Sequence, residues 1–211
     1  IEGVAPGASV YLPFLLNPGE EKTIKVNFCW YLPKSDLSIG HPIVTGEAFT
    51  GKTTRKAVKN QQTVSGYQGT GLLNSFDPTG DGQVGILVSP PFPVNRRYLK
   101  FLIGGGNKKE LTSVNLVIDE QTVETATGQN SELLTEQIWD LKRYQGKEAR
   151  LKFVDLDTYG WGHILADQFI LTDNSGESMR HPSGNAIVIA DFENKQLEGW
   201  ERISPEQLNI P

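Results

Sequence analysis

This sequence predicts an all-β protein built as an antiparallel β-sandwich. Three observations predict it. Apolar residues alternate with polar ones over many short segments, which is the period of a half-buried strand. Turn formers are frequent between those segments, with 22 Gly and 12 Pro in 211 residues. Helical periodicity is scarce, and strands at such short intervals favour two packed antiparallel sheets.

In chain order, "SVYLPFLL" (9–16) leads through a turn at Pro18 and Gly19 into "KTIKVNFCWYL" (22–32). There Ile24, Val26 and Phe28 alternate with Lys25 and Asn27. Residues 1–40 thus read as a β-hairpin region ending in "WYLPKSDLSIG", and 41–211 as a compact β unit. Within that unit the strand candidates are "VGILVS" (84–89), "YLKFLIG" (98–104), "SVNLVID" (113–119) and "TVETAT" (122–127). "ARLKFVD" (149–155), "GHILADQFIL" (162–171) and "AIVIADF" (186–192) follow. Val114, Leu116 and Ile118 share one face of their strand, as do Ala149, Leu151 and Phe153. "SELLTEQIWDLKRY" (131–144) is ambiguous: Leu134, Ile138 and Leu141 fit a helix, whereas Thr135, Gln137 and Trp139 alternating with Ile138 fit a strand. Strand is the expectation. A loop, "DNSGESMRHPSGN" (173–185), leads to the last strand, and no internal repeat is visible.

Composition removes several classes of function. Charged residues are 21% and hydrophobic ones 37%, as in a globular chain. The net charge is −5 and the densest basic run, "RKAVK" (55–59), reads as a solvated loop, so nucleic acid is not an expected partner. No apolar run reaches about 18 residues, so no membrane-spanning helix is expected. Cys29 is the single cysteine, which excludes an internal disulfide and a cysteine-based zinc site. In its apolar strand it reads as a buried, inert thiol. The chain opens on Ile1, without an initiating Met or a signal peptide, and is read as cut from a longer protein.

The residues with chemistry to offer cluster in "TYGWGHILADQFIL" (158–171). Sugars present flat C–H faces, which aromatic rings stack upon, while planar polar groups take the hydroxyls. Tyr159, Trp161, His163, Asn107 and Arg96 supply those chemistries and are the candidate carbohydrate-binding residues. Trp161, set between Gly160 and Gly162, fits equally a core plug. His163 has no Ser or Cys nucleophile at an interpretable spacing, and a carboxylate such as Asp155 is its expected partner. Arg96 or Arg97 is expected to pair with Asp155 or Asp157. "IGGGN" (103–107) lacks the spacing of a nucleotide-binding loop and reads as a place of sharp turning or close backbone approach. "DPTGDGQ" (77–83) reads as a turn, since it lacks the spacing and terminal Glu of an EF-hand loop. No catalytic residues are assigned: glycoside hydrolysis needs two carboxylates about 5–10 Å apart across a sugar, and no pattern here points to them.

Residues 45–172 carry an ordered series of segments: "GEAF", "VSGYQGTGLLNSF", "GILVSPPF", "RRYLKFLIGGGN", "VNLVIDEQTVETATGQNSELL", "WDLKRYQGKEARLKFVD" and "GWGHILADQF". The series resembles the β-sandwich modules attached to levanase/invertase-type glycoside hydrolases, which also occur in large secreted bacterial polysaccharide-degrading proteins. The resemblance implies a jelly-roll sandwich, concanavalin-like or galactose-binding-like, that is an accessory to a catalytic domain elsewhere. It implies binding of a polysaccharide or oligosaccharide and an extracytoplasmic setting. One departure stands out. In those modules a "DFE…GW" strand precedes the "G-x-AF" segment, whereas here "IADFENKQLEGW" lies at 189–200, after the last expected strand. Residues 186–200 therefore act as a circularly permuted first strand, or open a further module. Jelly-roll sandwiches often hold a structural Ca²⁺ between acidic residues of the first and last strands. Under permutation those are Asp191 and Glu193 with Asp167. Separately, residues 9–33, with "LNPGEEKTIKVNFCWYLP", resemble the end of the N-terminal β-domain of bile-acid β-glucosidase/glucosylceramidase-type enzymes. Together the two resemblances imply a sandwich inserted in a larger glycosidase, with the remainder of that enzyme as its partner. The alternative is a structural insert with no ligand of its own.

Overall fold

A computed structural model describes residues 15–21, 23, 46–50, 58–77, 80–193, 197 and 199–208. The chain divides into two units, Ile1–Ile39 and Gly40–Pro211. In the first, Asn17 and Glu20 close a turn around Pro18 and Gly19. The Glu20 N–H donates to the Asn17 carbonyl at 3.0 Å, and the Asn17 N–H donates to the Glu20 carboxylate at 3.0 Å. Gly19 takes the positive φ (88°) that the third position of a Pro-Gly type II turn requires. Most of the expected hairpin of 1–40, with Cys29, lies outside the described residues.

The regular structure described in the second unit is nearly all strand. Its elements are β1 (Gly46–Glu47), β2 (Leu73–Asn74), β3 (Gln83–Val88), β4 (Phe92–Pro93), β5 (Tyr98–Gly105) and β6 (Thr112–Ile118). There follow β7 (Gln121–Ala126), β8 (Ser131–Asp140), β9 (Glu148–Asp155), β10 (Ile164–Thr172), β11 (Ile187–Ala190) and β12 (Glu201–Ile203). The ambiguous 131–144 segment is the ten-residue strand β8 followed by a single 3₁₀ turn, Lys142–Tyr144. One sheet has the order β1-β3-β9-β6-β7, with β12 on β3 and β4 on β9. The other has the order β11-β10-β5-β8, with β2 also on β10. Neighbours are antiparallel except β1 and β3, which pair in parallel.

The facing sides of the two sheets enclose one core. Leu99, Phe101 and Ile103 of β5 meet Val114, Leu116 and Ile118 of β6 and Leu151 and Phe153 of β9 there. Phe101 stacks on Phe169 at 4.8 Å, Phe153 meets Phe169 edge-on at 5.5 Å, and Trp139 packs edge-on against Phe101 at 4.6 Å. The C-terminal segment contributes to the same core. β11 pairs antiparallel with β10, β12 pairs antiparallel with β3, and Phe192 and Trp200 pack around Phe153.

The β11–β8 sheet is covered on its outer side as well, which is why β5 is buried along almost its whole length. Val64, Leu72, Leu102, Leu134, Leu165, Ile170 and Met179 form this second apolar layer. Strand β10 serves both layers through a bulge. Its register with β5 slips between Asp167 and Ile170, and Gln168 has φ 54°. Ile164 and Ala166 face the core, and Phe169 and Leu171 resume it one residue out of step.

Strands β5 and β10 run antiparallel through the middle of this sheet and fix where the loops emerge. At one end lie the 105–108 turn and the 156–163 loop. At the other end lie residues 95–97 and the 173–185 loop. Eight residues of β5 at about 3.3 Å each separate the two ends by roughly 25 Å.

Candidate functional site

The 156–163 loop and the glycine-rich end of β5 are built against each other. A Cβ on Gly105 would collide with the His163 carbonyl, and one on Gly106 with the Trp161 carbonyl. The Gly106 N–H donates to the His163 carbonyl at 2.8 Å. "IGGGN" is thus a close-approach segment, and only residues without a side chain fit at Gly105 and Gly106. Gly162 is likewise enclosed by the Asp157 and Tyr159 carbonyls. Trp161 itself has φ 64° and is half-buried.

That backbone presents Trp161 and His163 to a cleft of about 270 Å³, lined also by Asn60, Gln61, Phe76, Asp81 and Glu132. Trp161 lies nearly parallel to the His163 ring, at 5.8 Å and 28°. Phe76 meets the imidazole edge-on at 5.1 Å. His163 is buried and bridges two carboxylates: Nδ1 bonds Asp81 Oδ1 at 2.6 Å, and Nε2 lies 3.3 Å from Glu132 Oε1. Burial pulls the imidazole pKa down, but the bonds to Asp81 and Glu132 outweigh it and push it up to about 9. At neutral pH both ring nitrogens therefore donate. Glu132 also accepts from Gln61 Nε2 at 3.2 Å, and the Gln61 oxygen accepts from Asn74 Nδ2 at 2.8 Å. Asp81, His163, Glu132, Gln61 and Asn74 thus form one connected hydrogen-bond network.

The expected partner of His163, Asp155, is not bonded to it. Asp155 is fully buried at the end of β9, and among the described residues neither of its oxygens has a hydrogen-bond partner of good geometry. Burial raises its pKa well above the usual carboxylate range, tempered by the neighbouring Ser75 hydroxyl and the His163 charge. The arginines do not reach this end either. Arg96 pairs with Asp173 (3.4 Å) and Arg97 with Asp140 (2.8 Å), while Asp157 pairs with Lys108.

Of the five residues expected to bind carbohydrate, four share one end of the sandwich. Trp161 and His163 line the cleft. Tyr159 is 54% exposed on the same loop, with Lys108 Nζ 5.8 Å from its ring centre. Asn107 is exposed on the adjacent turn, its N–H donating to Asn130 Oδ1 at 3.1 Å. Arg96 stands at the opposite end of β5. Asp81, Glu132 and Gln61 were missed by sequence reasoning. Asp81 belongs to "DPTGDGQ", whose turn character says nothing of a histidine 82 positions away.

The expected metal ligands lie elsewhere, on the outer side of the second sheet. Asp167 Oδ2 accepts from the Gln68 N–H and Oδ1 from the Gln168 N–H, each at 2.7 Å. The Glu193 carboxylate accepts from the Thr70 N–H and hydroxyl, both at 2.8 Å, and from the Gly71 N–H at 3.0 Å. Asp191 Oδ1 accepts from the Glu193 N–H at 3.2 Å. Burial, reinforced by the charges of Glu193 and Asp191, pushes Asp167 up to about 7 despite its two amide bonds. These residues clasp the 68–71 loop to β10. Among the described residues no three His, Cys, Asp or Glu side chains are arranged to hold a metal ion.

No protein-family model matches the chain. Over 129 residues it is 36% identical to a protein of Aspergillus rugulosus named "Putative glycosyl hydrolase ecdE". The match covers 61% of this chain, and the chain spans about 18% of that relative's length. That relative is fungal, so it does not carry the bacterial setting the sequence resemblance implied. Among the described residues no helix is long and apolar enough to cross a membrane.

Proposed function

We propose that this chain is a non-catalytic β-sandwich module of a larger, extracytoplasmic glycoside hydrolase, and that it binds carbohydrate in the Trp161–His163 cleft. The observation that carries the reading is the pairing of an aromatic face with fixed polar groups. Trp161 offers a stacking surface, while Gln61, Asp81 and Glu132 place donors and acceptors around it. The cleft volume, about 270 Å³, falls just below the range of about 300–1,000 Å³ usual for ligand sites, which suits one sugar ring better than a long chain segment. The similarity to a protein named as a glycosyl hydrolase supports the association, and the small share of that relative's length supports a module of a larger enzyme. Residues 186–200 act in this reading as the permuted strand that completes the sandwich, supported by the pairing of β11 with β10 and, just beyond, of β12 with β3.

Asp81 and Glu132 are two carboxylates in one cleft, the minimum a hydrolytic centre needs. Both direct oxygens at the His163 ring lying between them, which occupies the space a scissile bond would need. Titration of the chain with neutral oligosaccharides, beside Trp161→Ala, tests the binding reading. Saturable binding lost in a folded variant supports it, and binding unaffected by the substitution removes it.

The expectation of a structural Ca²⁺ at Asp167, Asp191 and Glu193 is a separate proposal. The burial of Asp167, with the charges of Glu193 and Asp191 bearing on it, supports the proposal, and a cation would relieve both. The amides of Gln68 and Thr70 would have to yield some of the oxygens they now hold. A melting temperature raised by Ca²⁺ in the wild type and not in Glu193→Gln supports it. No Ca²⁺ response sinks it.

A further inference from the structure

The far end of the sandwich holds a second and larger cavity, of about 630 Å³. Arg96, Thr172, Asp173, Asn174, Glu177 and Asn185 line it. Its floor is preorganised by a buried carboxylate. Glu177, 7% exposed, accepts from the Thr172 hydroxyl at 3.2 Å, from the Ser183 N–H at 2.7 Å and from the Ser183 hydroxyl at 3.0 Å. One side chain therefore ties the end of β10 to both limbs of the 173–185 loop. The rim carries a fixed donor–acceptor pair. Asp173 Oδ1 accepts from the Arg97 N–H at 2.9 Å, and Oδ2 lies 3.4 Å from Arg96 Nε. The Arg96 guanidinium, one-third exposed, is steadied by the Asn185 and Asn95 carbonyls, which leaves Nη2 without a protein partner among the described residues.

We propose that this cavity is a second ligand site, for a neutral, hydroxyl-rich molecule of the saccharide class. A guanidinium beside a carboxylate offers donors and acceptors at the spacing of adjacent hydroxyls, and Asn174 and Asn185 add side-chain amides. The charge balance selects neutral over acidic sugars: Arg96 and the buried Lys100, which donates to the Glu177 carbonyl at 2.6 Å, stand against the carboxylates of Asp173, Glu177 and the Lys100 partner Glu136, so a uronate or sulfate would meet a net negative surround. No aromatic ring lines the cavity, so hydrogen bonds carry the recognition and affinity falls below that of a stacking site. The two sites lie at opposite ends of β5 and β10, strands that span roughly 25 Å. A branched or multi-chain polysaccharide that engages both would be held by avidity rather than by either contact alone. The saccharide class rests on the function proposed above, whereas the existence of a second site does not.

The test is a two-dimensional NMR titration of the 211-residue chain with neutral fructo-, gluco- and xylo-oligosaccharides, and with an oligogalacturonate as the acidic probe. The Trp161 indole N–H reports the first site and the Asn174 and Asn185 side-chain amides the second. Two sets of shifts with separate saturation are expected. Trp161→Ala removes only the first. Arg96→Ala, with Asn185→Ala as the milder variant that spares the Arg96–Asp173 pair, removes only the second. The oligogalacturonate moves the second set at least tenfold more weakly. A single set lost in Trp161→Ala overturns the second site and leaves the proposed function standing. A single set at Asn174 and Asn185 keeps the second site and removes the first. No shifts with any sugar remove both. Stronger shifts with the acidic probe than with neutral sugars overturn the assigned class.

Discussion

Replacing Asp81 by Asn tests the charge state of the cleft. His163 is an imidazolium in the folded protein because Asp81 and Glu132 outweigh its burial, and its pKa stands near 9 against 6.5 for an unperturbed histidine. That gap, at about 1.4 kcal/mol per tenfold, is worth about 3 kcal/mol of folding stability. A raised folded-state pKa means the folded protein binds the proton more tightly. The contribution is therefore complete below pH 6.5 and is lost as the pH rises through 9. Asp81→Asn keeps the shape but removes one of two negative partners, so the His163 pKa falls by at least about one unit. The variant is then about 1–2 kcal/mol less stable than wild type at pH 6, and the difference shrinks toward pH 10, where the ring is neutral in both. Urea denaturation at the two pH values measures this, and the His163 ring carbon resonances report its titration directly. An equal loss of stability at pH 6 and pH 10, or a wild-type His163 pKa at or below 6.5, would refute the reasoning.

Other outcomes follow from the same structure. Asp167, pushed up to about 7 from 3.8, binds its proton more tightly when folded, so it stabilises fully below pH 3.8 and that contribution fades by pH 7. Asp167→Asn flattens this part of a stability–pH profile. Gly105→Ala forces a side chain onto φ 85° and against the His163 carbonyl, and lowers stability by at least about 1–3 kcal/mol in urea melts. Phe101→Ala removes a fully buried ring stacked on Phe169 and costs about 3–5 kcal/mol, read by thermal or urea denaturation.

The strands were legible because their pattern is local. Val114, Leu116 and Ile118 alternate along seven residues, and burial of that face follows directly. The two-residue strands β1, β2 and β4 are too short to show a period. The bulge at Gln168 is a different case: ordinary alternation sets Asp167 on the outer side with Leu165, toward the 68–71 loop, and the slip that follows it returns Phe169 to the core, which no local period in "ILADQFIL" shows. The site was legible only in part, because its partners are joined by sheet topology. Trp161 and His163 announced themselves through flanking glycines. Asp81 and Glu132 reach His163 across 82 and 31 positions, and only the order of strands sets such distances. Arg96 was grouped with Trp161 on chemistry, and the length of β5 keeps them apart.

The most direct test of carbohydrate binding at the Trp161 cleft is the NMR titration of the intact chain with a neutral oligosaccharide, followed at the Trp161 indole and the His163 ring. The account predicts saturable shifts at both, absent in a Trp161→Ala variant that retains the wild-type fold. Saturable binding that leaves Trp161 and His163 unmoved, or that survives the substitution, would contradict it.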